Sequence, residues 1–380
     1  MQKIPFRDLN ISVSRLGFGA MRLPTKEAGQ KRVINREEAV AMIRHAIDQG
    51  VNYMDTAYPY HGGESELVMG EALQNGYREK VVLATKLPVW LVKKREDMDR
   101  FLDEQLMKLK TDHVDFYLLH ALNKNSFEQM QKLDYPEFLD KAVASGKIRY
   151  PSFSFHDEAD LFPKIIDDYP WKMAQIQLNL LDGEYQAGLD GMRYASAKGV
   201  GFVVLEPLRG GALVTPPAEV KALYHDFPVR RSSVEWAFRY LYNMPEVMTI
   251  LSGMSTMEQV KDNLRIFESA AANVVTPEEE ALFAKVKEAY LSRIKTNCTG
   301  CNYCQPCPKN VVIPNIFRGY DNAAMLDTKP EFMNRYKAMT EEKKDASLCV
   351  SCGICQKACP QHLPIIQYLK EIRAEYESSL

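Results

Sequence analysis

The stretch Val51-Asn-Tyr-Met-Asp-Thr-Ala-Tyr-Pro-Tyr-His-Gly-Gly-Glu-Ser-Glu66 decides how this chain is read. It opens as an apolar strand, ends that strand on Asp55, and sets Tyr60 in a turn marked by Pro59 and Gly62-Gly63. Two later runs end alike, Val81-Val-Leu-Ala-Thr-Lys86 and Val114-Asp-Phe-Tyr-Leu-Leu-His120. An acid, a phenol, an ammonium and an imidazole thus come from three consecutive strand ends. Strand patterns fall at 15–19, 51–56, 81–86, 114–119, 148–154, 173–178, 200–205 and 247–252. Helical spacing separates them, as at Arg36–Gly50, Arg95–Lys108, Phe127–Ala144, Tyr185–Lys198, Ser232–Tyr242 and Met257–Phe267. Eight strand–helix units call for parallel strands joined by right-handed crossovers. They fit a (β/α)8 TIM barrel of ~250 residues better than an open sheet. A strand–GxGxxG–helix unit is missing, which also speaks against a dinucleotide-binding open sheet. A hairpin over 3–14, turning at Asp8-Leu-Asn10, precedes the first strand.

In such a barrel the C-terminal strand ends and the loops after them line the site, so Asp55, Lys86 and His120 face one opening. Singly, each has a blander reading: packing for Tyr60, a solvated end for Lys86, a core histidine for His120, a turn cap for Asp55. Their grouping favours a shared chemistry. Reducing a carbonyl needs a hydride on carbon and a proton on oxygen. A phenol of ordinary pKa ~10 gives its proton up more readily beside an ammonium. Lys86 fills that role, Asp55 keeps Lys86 charged, and His120 orients the substrate oxygen.

These residues carry a resemblance. Asp55-Thr-Ala-x-x-Tyr60, Gly63-x-Ser65-Glu66 with Gly70, Lys86 after an apolar strand, and Asp115-x-x-x-x-His120 resemble the aldo-keto reductase signature over roughly residues 1–290. The resemblance implies a (β/α)8 barrel and a catalytic tetrad of Asp55, Tyr60, Lys86 and His120. It also implies a nicotinamide cofactor, NADP or NAD, that donates hydride to a small carbonyl or takes it from an alcohol. Cofactor positions follow at Gly19, Ala20 and Met21, and at Ser154 and Gln175 for the carboxamide. Further ones are Leu205 and Pro207 at the end of the seventh strand, Leu208, Gly210 and Gly211 in the pyrophosphate loop, and Gly253, Gln259 and Asn263 for adenosine. Four positions depart from the family: Phe155 replaces the asparagine after Ser154, Leu205 the stacking aromatic, and Gly253 and Gln259 the cationic grip on a 2′-phosphate.

All eight cysteines lie after residue 297. They form Cys298-x2-Cys301-x2-Cys304-x2-Cys307-Pro308 and Cys349-x2-Cys352-x2-Cys355-x3-Cys359-Pro360. Two zinc sites, each held by four cysteines, are the plain alternative, but zinc usually draws on two separated pairs. The second run is the bacterial ferredoxin pattern, and the first is one residue shorter before its last cysteine. In two-cluster ferredoxins the fourth cysteine of each run serves the other cluster. That rule assigns one [4Fe–4S] to Cys298, Cys301, Cys304 and Cys359, and another to Cys349, Cys352, Cys355 and Cys307. Helical patterns at Ile313–Leu326, Phe332–Thr340 and Ile365–Tyr376 give a small, mainly helical ferredoxin-like domain. The composition shift sets domains at 1–292 and 293–380.

With 380 residues and a net charge of −2, the chain shows no basic footprint for nucleic acid. It carries no apolar run of ~20 residues for a membrane span and opens without a signal-peptide pattern. A cytoplasmic oxidoreductase is expected, with a redox partner protein for its clusters. The alternative is an iron–sulfur electron-transfer module that uses the barrel as a nucleotide-binding or docking scaffold, or as a subunit that reports redox state.

Overall fold

The computed structural model describes residues 1–29 and 31–379. They form two compact units: residues 1–210 with 234–276, and residues 211–233 with 277–380. A boundary at 292 therefore lies inside the second unit, just past the end of its helix Pro277–Leu291.

In the first unit eight parallel strands close a barrel in sequence order: β1 Leu16–Gly19, β2 Tyr53–Asp55, β3 Val82–Leu87, β4 Val114–Leu122, β5 Ile148–Phe155, β6 Met173–Gln177, β7 Gly201–Leu205 and β8 Val247–Gly253. Register places Asp55 beside Gly19 and Ala84, and Gln175 beside Ser154. These are the C-terminal ends of the strands, where a barrel of this class carries its site. Side chains that point inward fill the lower barrel, among them Tyr53, Phe116, Leu118 and Val203. The hairpin of Lys3–Pro5 and Ser12–Ser14 closes its floor. Phe6, fully buried, packs on Phe116 at 4.9 Å. It fits only because Gly201 has no side chain, since a Cβ there would lie 2.1 Å from the Phe6 ring.

The helices follow the apolar spacing closely, as at Arg36–Asp48 and Met257–Phe267. The single helix expected over Phe127–Ala144 is a correction: it is broken into Lys124–Lys132 and Tyr135–Ala144. Asp134 takes a left-handed conformation and its carboxylate caps Glu137 N–H, ahead of Pro136 near the new N-terminus. Proline disfavours helical backbone in the residue before it and is at home in a first turn. A second hairpin, Thr25–Ala28 with Lys31–Ile34, follows β1 and was not anticipated.

The second unit is helical, including Ile313–Leu326, Lys329–Glu341 and Ile365–Glu377. Its core gathers Ile316, Phe317, Phe332, Tyr336, Leu369 and Ile372. Asp321 ties down the segment that leads into the first cysteine run, accepting from Thr296 N, Thr296 Oγ1 and Lys295 N. No helix among the described residues is long and apolar enough to cross a membrane.

Candidate active site and cluster sites

The loop after β2 is built to hold Tyr60 over the barrel mouth. Thr56 and Ser65 share a hydroxyl–hydroxyl hydrogen bond of 2.9 Å, and Ser65 donates to Ala20 O. The chain between them folds into a tight turn, with His61 and Gly62 at positive φ. Gly70 lets the helix Ser65–Ala72 press against Lys108–Leu109, where a Cβ would meet Lys108 O at 2.4 Å. Glu66 is fully buried and accepts from Thr85 Oγ1 at 2.7 Å and Gln105 Nε2 at 2.6 Å. Gln105 also donates to Lys86 O. The motif residues Ser65, Glu66 and Gly70 thus brace the strand and loop that carry Lys86 and Tyr60.

The four expected residues converge. Lys86 Nζ donates to Asp55 Oδ1 at 2.6 Å and to Thr56 O at 2.8 Å, and its third contact is Tyr60 Oη at 3.5 Å. The Tyr60 and His120 rings stand edge to face with centroids 6.1 Å apart. His120 owes its position to an irregularity near the end of β4, where register shifts after Leu119 and Ala121 takes positive φ. Such bulges re-aim side chains.

Burial is the first influence on each titrating group. It raises the Tyr60 phenol, and the Lys86 ammonium opposes this without overcoming it. The expectation of a phenol made acidic is corrected accordingly: burial outweighs the ammonium, and Tyr60 holds its proton more tightly than a free phenol. Lys86 loses solvation too, yet Asp55 and Tyr60 hold its affinity for a proton above the ordinary value. Burial, with Lys86 and His156 nearby, drives His120 well below the usual imidazole range. The site therefore offers a protonated phenol, a charged lysine and a neutral imidazole.

Two buried atoms suit a carboxamide. Gln175 donates Nε2 to Asp55 Oδ2 at 2.8 Å, which leaves its Oε1 buried without a partner among the described residues. Ser154 Oγ accepts from Ala121 N at 2.7 Å and keeps its proton to donate. A primary amide, one donor and one acceptor, matches that pair. Phe155 is absorbed in the outer core against Phe162, and Leu205 is half-buried above the barrel interior.

The remaining cofactor positions divide. Gly19 and Ala20 lie at the end of β1, and Met21 is exposed. Pro207 is buried, Leu208 half-buried, and Gly210 has positive φ. Gly211 falls in the second unit. Gln259 Oε1 accepts from Ser255 N, and Asn263 Nδ2 donates to Ser252 Oγ, so both brace the loop after β8. Reading the sequence missed Arg22. A Cβ on Gly253 would meet its aliphatic stem at 3.1 Å, and one on Gly210 its guanidinium at 3.5 Å. Arg22 thus brings a cation close to both Gly210 and Gly253. Trp90, whose ring stands 5.1 Å from that of His120, was missed as well, because it lies on a loop without periodicity.

The aldo/keto reductase family model matches residues 15–272. The chain belongs to the aldo/keto reductase family. It is an oxidoreductase of that type, and a 4Fe-4S dicluster domain matches residues 297–364. L-galactose dehydrogenase of Arabidopsis thaliana is 28% identical over 292 residues, 70% of this chain and 88% of that protein. Methylglyoxal reductase of Escherichia coli is 36% identical over 126 residues, 33% of this chain and 42% of that one. Among solved structures, the holo form of aldo-keto reductase AKR11C1 from Bacillus halodurans superposes with a TM-score of 0.63 at 25% identity, covering 75% of this chain and 96% of its own. A Klebsiella pneumoniae aldo-keto reductase in complex with NADPH gives 0.62 at 22%, covering 76% and 95%, a likeness of fold.

In this reductase's second unit the cysteines gather as two sets. Cys298, Cys301, Cys304 and Cys359 line one cavity. Cys307, Cys349, Cys352 and Cys355 line another, together with Cys304. The first cavity takes three thiols from the first run and Cys359 from the second, and the other takes three from the second run with Cys307 and Cys304 from the first. Among the described residues no three metal-binding side chains close on a single point as one ion needs. The thiols are instead spaced around a volume, which suits a cluster better than zinc. Burial pushes the Cys304 thiol up to about 11 and also raises Cys298 and Cys355, so iron must displace their protons on binding.

Proposed function

We propose that this aldo/keto reductase transfers hydride between NADPH or NADH and a small carbonyl or alcohol. The observation that carries the reading is the contact line Asp55–Lys86–Tyr60 joined at Asp55 to Gln175, whose Oε1 has no partner among the described residues. The nicotinamide, when bound, supplies the hydride. Ser154 and Gln175 grip its carboxamide, and Arg22 answers the phosphate charge. His120, neutral and buried, hydrogen-bonds the substrate oxygen and fixes its angle. Tyr60 then gives its proton to that oxygen as charge develops, and Lys86 stabilises the phenolate left behind, itself held by Asp55. In oxidation the phenolate takes the proton back. Preference between the phosphorylated and unphosphorylated cofactor rests on Arg22, because Gly253 and Gln259 bring no charge of their own.

The cysteine sets hold two [4Fe–4S] clusters on this reading, exchanging single electrons with a partner protein or reporting redox state. The chemistry of the donor sets supports it: eight thiols in two cavities, paired across the two runs. A Tyr60→Phe variant, purified without oxygen, tests the reductase reading. It should bind cofactor normally, by fluorescence titration, and lose roughly 10²- to 10⁴-fold in carbonyl reduction. Unchanged turnover would end the assignment.

A further inference from the structure

The two cysteine cavities differ at their rims. Around the first, the exposed residues Thr299, Asn302 and Gln361 are all polar. Gln361 Nε2 donates to Thr299 Oγ1 at 2.7 Å, so that rim is knitted to itself. Around the second, Val350 and Ile354 line the cavity and yet stand 58% and 57% exposed. Cys352, between them in the chain, is exposed as well. Single apolar side chains at a surface mean little, but a group of them beside a site marks a place of interaction. Here two of them flank the thiols of one set and not of the other.

Charge sorts the same way. Residues 298–317 and 346–370 hold all eight cysteines, and they contain three lysines and no Asp or Glu. Lys309 lines the second cavity. Lys357 comes three residues after Ile354 on the helix Ile354–Ala358, which puts the two on one side of it. Both lysines are exposed, and neither meets a carboxylate among the described residues. Asn310 Nδ2 donates to Lys343 O at 3.3 Å, which brings the backbone of a further lysine to the loop of Lys309. Glu342, beside it in the chain, is already taken by Lys344 at 2.9 Å. Lysines that only balanced the charge of bound thiolates would lie inside, against sulfur. These lie at the surface, where they meet what approaches.

We propose that the rim of the second cysteine set, Val350 and Ile354 flanked by Lys309 and Lys357, is the docking surface for a small acidic single-electron carrier protein. This rests on reading the cysteine sets as [4Fe–4S] clusters, and it adds which of the two meets the partner. One electron passes between the carrier's redox centre and the cluster of Cys307, Cys349, Cys352 and Cys355. No bond forms or breaks and no proton moves: the donor is oxidised and the acceptor reduced by that one electron. The lysines steer the approach, so association weakens with salt, and the two apolar side chains form the dry centre of the contact. Encounters of this kind bury less than about 1,200 Å² in all, which suits a patch of this size.

The test uses the full chain with reconstituted clusters, handled without oxygen. The probe is a plant-type [2Fe–2S] ferredoxin, a small acidic carrier, and cytochrome c, a small basic carrier, is the control. Binding is read by titration calorimetry, so that the result does not depend on either reduction potential. The ferredoxin should bind at low ionic strength and lose about ten-fold in affinity at physiological salt, with cytochrome c at least about ten-fold weaker throughout. Lys309→Glu, Lys357→Glu and Ile354→Asp should each weaken ferredoxin binding by about ten-fold, with iron and acid-labile sulfide unchanged. Gln361→Glu, at the other rim, should leave it as it is. Lys357 lies outside the cavity lining, so its variant decides the matter even if Ile354→Asp does not assemble. Absence of ferredoxin binding, equal binding of cytochrome c, full affinity in both lysine variants, or equal weakening by Gln361→Glu overturns the proposal while iron and sulfide keep the cluster reading in place. If the reconstituted chain holds neither iron nor sulfide, the cluster reading fails and takes this one with it.

Discussion

Lys86 Nζ sits 2.6 Å from Asp55 Oδ1, and Gln175 Nε2 sits 2.8 Å from the other oxygen of the same carboxylate. Both members of the ion pair are almost fully buried, at 1% and 2% exposure. Asp55 is therefore the junction between the proton-donating side of the site and the carboxamide side. Asp55→Asn leaves a buried ammonium without its counter-charge, which typically costs about 3–5 kcal/mol. Lys86→Met strands the carboxylate instead. Removing both charges should cost clearly less than the sum of the single changes. Anaerobic urea unfolding of the four proteins checks this, and additive losses would show that the pair is not coupled.

The pH dependence of reduction follows from three directions. The Tyr60 phenol is raised above its usual 10, Lys86 is raised, and His120 is lowered well below 6.5. Reduction needs the phenol protonated and the imidazole neutral. A raised phenol keeps its proton as pH climbs, and a lowered imidazole stays neutral until pH falls beneath its ordinary range. The rate of the chemical step should be flat from about pH 6.5 to 9. Single-turnover cofactor oxidation across that range is the measurement. A limb centred near neutrality would place a titrating histidine in the reaction.

Asp115, part of the same family signature, does something different. Its carboxylate, at the start of β4, accepts from Arg78 Nη2 at 3.0 Å, Arg149 Nη1 at 2.7 Å and Leu83 N at 2.8 Å. It is 1% exposed and far from the strand ends that carry the site. Asp115→Ala should destabilise the chain by about 3 kcal/mol with kcat little changed in the protein that remains folded. Arg149→Ala, whose side chain is half in solvent, should cost no more than about 1 kcal/mol. Equal losses from both would mean that the half-exposed Arg149 contact, and not the buried pairing with Arg78 and Leu83 N–H, carries the stabilisation.

The barrel could be read because its strands are short apolar runs at regular intervals, and the tetrad because its members end such runs. Tyr60 needed no periodicity, since Asp55-Thr-Ala and the glycine pair fix the turn around it. Trp90 and Arg22 obey no such pattern. Arg22 matters only because Gly210 and Gly253 come close to it in space. The split at Leu133–Asp134 was hidden for a related reason: the apolar spacing continues across it while the capping at Asp134 and Pro136 does not. The Tyr60 phenol shows a third kind of gap. A neighbouring ammonium is visible in the sequence, but the burial that outweighs it is not.

The crossed cysteine sets give a prediction that separates the two runs. Cys359 lines the cavity of Cys298, Cys301 and Cys304, whereas Cys307 lines that of Cys349, Cys352 and Cys355. Cys359→Ala should therefore empty or degrade the site built mostly from the first run, and Cys307→Ala the site built mostly from the second. Each should lower iron and acid-labile sulfide by up to roughly one half relative to the parent protein. Pairing each with a second change distinguishes the arrangements. Cys359→Ala with Cys301→Ala strikes one set and should lose no more iron than the more severe single variant. Cys359→Ala with Cys352→Ala strikes both and should approach complete loss. If clusters were instead held run by run, these two outcomes would exchange places. Anaerobic iron and sulfide analysis of the reconstituted variants decides between them.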